Sequence, residues 1–176
     1  MTRRIAPVRL LNLLLLAGLL AWSIAVWPSL PARLPIHVDL DGTVDRWAER
    51  SIVAWFALPV LAAGVSLLLM GVRRLARRRP MIANLPDRDR LLRLPPAAQQ
   101  AVLAEVGRLL DLVAVQTSLV FVLLQAGLHR VATAAGGPGW IVAALAVAVG
   151  GMPVLMIAGS LRLNRRLREE SATAKG

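Results

Sequence analysis

Four stretches of this chain contain no Asp, Glu, Lys, Arg or His: residues 10–27, 52–72, 112–128 and 140–161, which are 18, 21, 17 and 22 residues long. A helix needs about 20 apolar residues to cross a bilayer, within a range of roughly 17 to 25. A soluble helix of that length would show a polar face, and a buried strand rarely runs so long. The pattern predicts an all-α membrane protein with four transmembrane helices. They form one domain over residues 1–176, with an inner loop at 73–111.

The charges are as segregated as the apolar residues. The chain carries 21 Lys and Arg against 10 Asp and Glu, a net charge of +11, although 57% of it is hydrophobic. If the N-terminus is cytoplasmic, 17 of the basic residues fall on the inner side, and only Arg33, Arg46, Arg50 and Arg130 fall outside. The outer loops then sum to zero and the inner face carries the whole excess. The positive-inside rule therefore predicts a multi-pass protein of the cell membrane with both termini in the cytoplasm. It also removes the reason to invoke nucleic acid, which the net charge alone would suggest. Arg3, Arg4 and Arg9 followed by an apolar run could also open a signal peptide. That run exceeds the usual 7–15 residues of such a segment, so an uncleaved anchor is expected. Trp27, Trp47, Trp55 and Trp140 all fall near the predicted outer interface, where an indole can bury its ring and wet its N–H. Pro59 and the Gly150-Gly151-Met152-Pro153 run are expected to kink the second and fourth spans. Ala146 and Gly150 have small-xxx-small spacing, a weak packing signal in an Ala-rich span.

The inner loop opens with Arg73, Arg74, Arg77, Arg78 and Arg79, a topology anchor that doubles as a lipid or partner surface, since basic residues beside an anionic leaflet each contribute about 1 kcal/mol. The segment from Asn84 to Leu94 is a turn and a short basic amphipathic piece expected at the interface. Pro95-Pro96 suits a helix start. Val102, Leu103, Val106, Leu109, Leu110 and Val113 recur at helical spacing, so this helix is expected to run into the third span as one rod.

The first outer loop, residues 28–50, is the most distinctive stretch. Ile36, Val38 and Leu40 alternate with His37 and Asp39, and Asp41-Gly42 is a strong hairpin turn pair because Gly supplies positive φ. A short outer β-hairpin between the first two spans is expected, with an irregular loop as the rival. His37, Asp39, Asp41 and Asp45, with His129 nearby, could hold Zn²⁺ or Ca²⁺. Their spacing misses the calcium-loop pattern, and Arg33, Arg46 and Arg50 can pair the carboxylates. No metal and no cofactor are therefore expected. The spans contain Asn12, Ser23, Ser66, Gln116, Thr117, Ser118 and Gln125, whose default role is interhelical hydrogen bonding. A non-enzymatic protein is the leading expectation. A metal-dependent membrane enzyme and a small transporter subunit are the alternatives.

Two segments carry a family resemblance. Leu34-Pro35-Ile36-His37-Val38-Asp39, followed by Gly42, Asp45 and Trp47, resembles the Leu-Pro…Ile-Pro-x-His-Phe-Asn…Gly…Asp pattern of a bacterial membrane domain of unknown function, also present in SdpI-type immunity proteins. Asn84, Pro86, Arg88 and Asp89 resemble the Asn-x-Pro-Asn-Lys/Arg-Glu/Asp segment on the cytoplasmic side of many members. Val38, Asp39 and Asp87 depart from the usual Phe, Asn and Asn. The resemblance implies immunity to a secreted peptide, or sensing. The partners expected are the lipid bilayer, a protein or peptide, and a second copy of the chain.

Overall fold

The computed structural model describes residues 7–38, 44–78, 88–133 and 139–173. Helix α1 (Pro7–Val26) ends in a short 3-10 turn at Trp27–Ser29, and strands β1 (Arg33–Val38) and β2 (Val44–Glu49) form an antiparallel hairpin. Helix α2 (Ile52–Arg78) follows, then short α3 (Arg88–Arg93), long α4 (Pro96–Ala132) and long α5 (Gly139–Thr173). Four of these helices, α1, α2, α4 and α5, are long and apolar enough to cross a membrane. The hairpin replaces the rival irregular loop. The Asp41-Gly42 turn lies outside the described residues, as do Asp39, Arg79, Asn84 and Pro86.

Helix α4 is the hub: α1 and α2 pack on it from one direction and α5 from another. It begins at Pro96, whose missing N–H would be unpaired at a helix start anyway, and it does run as one rod through the third span. Thirty-seven residues make about 55 Å of helix at 1.5 Å per residue, well beyond a hydrocarbon core of about 30 Å. The 35-residue α5 is almost as long. Both overshoot the apolar layer at the same end, the arginine-rich one.

Within the apolar layer the helix seams are small or polar. Within its span helix α4 buries Ala114, Ser118, Gln125 and Gly127, and Gly107 and Asp111 continue the seam toward the arginine-rich end. Lipid is as apolar as leucine, so burying leucine between helices gains little there; close backbone approach and hydrogen bonds decide the seam. Large apolar side chains such as Val53, Val60, Leu67, Val147 and Leu161 accordingly point outward.

Three buried polar side chains close a ring across α1, α2 and α4. Ser118 Oγ donates to Asn12 Oδ1 (2.8 Å), and Asn12 Nδ2 donates to Ser66 Oγ (3.3 Å). Ser66 Oγ lies 3.4 Å from Ser118 Oγ and supplies the remaining proton, because the Ser118 hydrogen is already committed. A second contact repairs a proline. Pro59 has no N–H to offer the carbonyl of Trp55, four residues earlier, and Gln125 Nε2 donates to that oxygen instead (3.1 Å).

Helix α5 meets α4 through glycine. A Cβ added at Gly159 would lie 2.5 Å from Leu109 Cδ1, and one at Gly151 would lie 3.1 Å from Gln116 Nε2, which itself donates to the Ala148 carbonyl. Gly150 meets nothing within 4 Å, so the Ala146/Gly150 spacing does not mark the contact. Beyond the apolar layer, Leu163 and Leu167 of α5 join Leu91, Leu94, Val102 and Leu103 in a conventional aliphatic core. Leu91 and Leu94, in and just after α3, are therefore buried against α4 and α5. The end of α3 is secured by Gln99 Nε2, which donates to the carbonyls of Leu92 and Leu94, and by Arg90 Nε donating to Ser171 Oγ.

Candidate functional site

The hairpin sits over one end of the bundle, and its distinctive residues are set by two irregularities. Arg33, Leu34 and Pro35 pair with Glu49, Ala48 and Trp47 in regular register; then His37 pairs with Arg46 and Val38 with Val44. Ile36 is thus an extra residue in β1, and Asp45 is an extra residue in β2. Pro35 cannot donate to the ladder, so a break in pairing directly after it costs no hydrogen bond it could have made. Bulges re-aim side chains. Here they bring His37 Nδ1 within 2.6 Å of Asp45 Oδ1, where the N–H donates to the carboxylate.

The His37 and Asp45 side chains remain 54% and 39% exposed, and Trp47 is 49% exposed. The hairpin therefore presents an oriented imidazole–carboxylate pair and an indole outward. Its other face is anchored. Leu34 and Leu30 are buried against Trp55, with Trp22, Trp27 and Phe56 around them. Trp55 Nε1 donates to the Ser23 carbonyl (3.0 Å), tying α2 to α1. Arg50, expected to pair a carboxylate, instead donates to the Leu30 carbonyl (2.7 Å) and stacks over Trp27 at 5.4 Å. Its backbone N–H donates to Ala32 (2.8 Å), so the return leg of the hairpin is fixed at its root.

The ring of His129 lies edge-on to Trp22 at 5.1 Å and 6.3 Å from Trp55, inside the aromatic layer beneath the hairpin. Among the described residues no three His, Asp or Glu side chains come together as a metal site; Asp39 and Asp41 lie outside them.

The opposite end holds a second charged feature that the spacing of the arginines alone did not reveal. Asp111 is only 7% exposed and is bracketed by Arg73 (Nη1 to Oδ1, 3.4 Å) and Arg9 (Nε to Oδ2, 3.6 Å). Each carboxylate oxygen serves a different helix, so the triad ties α1 and α2 to α4 where the charge-free runs end. Gly107 makes room for it: a Cβ there would stand 2.7 Å from Arg73 Nε. Arg73 is therefore a structural member of the bundle. Arg74, Arg77 and Arg78, on the same helix, are exposed. In the inner motif Asp89 is exposed and Arg88 opens α3.

Residues 14–63 match the family model described as "Domain of unknown function (DUF1648)". The match runs from α1 through the whole hairpin into the first half of α2, so it contains Pro35, His37, Asp45 and Trp47, and it ends before the Asn84–Asp89 motif. No curated protein and no solved structure matches the chain. The fold and the local match together describe a protein with four membrane-crossing helices, one segment of which, the hairpin with its flanking helices, is similar to this domain.

Proposed function

We propose that the chain is a non-enzymatic protein of the bacterial cell membrane, related to the SdpI-type immunity proteins, whose hairpin meets a protein or peptide partner on the outer face. In this reading the arginine-rich end faces the cytoplasm with both termini. The observation that carries it is the geometry of the hairpin. Paired bulges hold His37, Asp45 and Trp47 outward on a base fixed by Trp55 and Arg50. An exposed indole beside an oriented imidazole–carboxylate pair, on a rigid support, has the makings of an interface anchor. The polar groups of the spans support the same reading, since Asn12, Ser66, Ser118, Gln116 and Gln125 are engaged in holding helices together.

The test is a photo-crosslinking residue placed at position 47 in the native host. It should yield a discrete crosslinked species that is lost in His37→Ala and Asp45→Ala, whereas the same probe at lipid-facing Leu68 should not. A species that persists unchanged in both variants, or none at position 47, would remove the hairpin's proposed role.

A further inference from the structure

We infer that the groove between α4 and α5 at the arginine-rich end is a binding site for one anionic phospholipid. Two adjoining cavities make up the groove, and they share Glu105, Arg108 and Arg162. The part nearer the bilayer centre, about 190 Å³, is lined by Leu109, Leu112, Leu155 and Ala158. Its floor is the tight approach of Leu109 to Gly159. The part farther out, about 330 Å³, adds Arg165, Arg166 and Glu169.

The charges are unequal in a way that favours an anion. Four arginines face two glutamates. Glu105 is taken by Arg108 (3.0 Å), and Glu169 by Arg165 (2.9 Å) and Arg166 (3.7 Å). Arg162, at the junction of the two cavities, has no ion pair among the described residues.

The order of chemistry along the groove selects the occupant. Leu112 and Leu155 belong to the charge-free runs, and Arg108 and Arg162 are the first basic residues beyond them on α4 and α5. A ligand that fills the groove must be apolar along one part and negatively charged at the boundary. A phospholipid with an anionic headgroup meets both demands: its acyl chain lies against Leu109, Leu155 and Ala158, and its phosphate meets Arg162. A free phosphate would use only the outer part. The aliphatic flank at Ile157 and Leu161 is exposed sideways, toward where lipid lies.

Native mass spectrometry of the full chain released from detergent, with phosphatidylglycerol and phosphatidylcholine offered separately, reads this directly. Phosphatidylglycerol should bind as a single tight adduct, and phosphatidylcholine more weakly. The double variant Arg162→Gln/Arg166→Gln should weaken phosphatidylglycerol about thirtyfold, as loss of two basic contacts to an anionic headgroup implies. Arg74→Gln/Arg78→Gln, on the exposed face of α2 and outside the groove, should weaken it far less. Ala158→Phe fills the apolar part while sparing every arginine, and should also weaken the lipid. Equal binding of the two lipids would overturn the proposal. So would full phosphatidylglycerol binding in the Arg162/Arg166 variant, or an equal loss in the Arg74/Arg78 variant. Displacement of the lipid by glycerol 3-phosphate alone would overturn it in favour of a phosphate site.

Discussion

The two ends of this molecule are built by different means. At the hairpin end, most of the structure comes from neighbours in sequence: the end of α1, the hairpin and the start of α2 fall within residues 22–56, and their aromatic-rich core is completed by His129 and Ala132 of α4. At the arginine-rich end the core is aliphatic and comes from α3, α4 and α5, with Leu91 meeting Leu163 and Leu167. The first end is largely local, and residues 14–63, which the family model matches, hold all of it but the α4 contribution. The second is assembled from three helices spread over residues 88–173.

Truncating each core probes the contrast most strongly. Trp55→Ala should cost about 4 kcal/mol, because a buried indole and its hydrogen bond to Ser23 are both lost. Leu103→Ala, fully buried at the other end, should cost about 3 kcal/mol. Unfolding titrations in detergent micelles measure both. Hydrogen exchange sharpens them: Trp55→Ala should loosen β1 and β2 while α3 keeps its protection, and Leu103→Ala should do the reverse. Loosening of both ends by either variant would show the contrast to be false.

These ends were not equally readable in the sequence. The four spans and the hairpin were legible because each is a local pattern: a charge-free run, or an alternating stretch bounded by a turn pair. The aliphatic core was not, because Leu91, Leu163 and Leu167 sit among arginines beyond those runs. Their partners lie about 60 to 75 residues away. A signal was present in the four-residue series Gly151, Leu155, Gly159, Leu163, Leu167 and Ser171, which carries one face of α5 out of the apolar layer. The site was half legible. His37 and Asp45 were named as a cluster, but their pairing depends on bulges at Ile36 and Asp45 that no residue pattern announces. Arg73 was counted with its basic neighbours, and only the packing of α2 on α4 shows it committed to Asp111.

A smaller effect tests the layer between the ends. Gln125→Leu leaves the Trp55 carbonyl freed by Pro59 without its donor, and should cost about 1 kcal/mol in the same titration. A neutral result would show that the Trp55 carbonyl needs no side-chain donor. Least of all, His37→Ala should change stability by less than about 0.5 kcal/mol, since the pair it forms with Asp45 is exposed. A larger loss would make the pair part of the scaffold and weaken its assignment to recognition.

The proposed function requires the hairpin to face outward and the arginine-rich end to face the cytoplasm. The chain contains no cysteine, so a single introduced thiol reports one position without background. Trp47→Cys and Arg165→Cys, both at exposed sites, can be treated in intact cells with a membrane-impermeant maleimide. Labelling of position 47 in intact cells, and of position 165 only after permeabilisation, is the predicted result. Labelling of position 165 in intact cells, with position 47 protected, would contradict it.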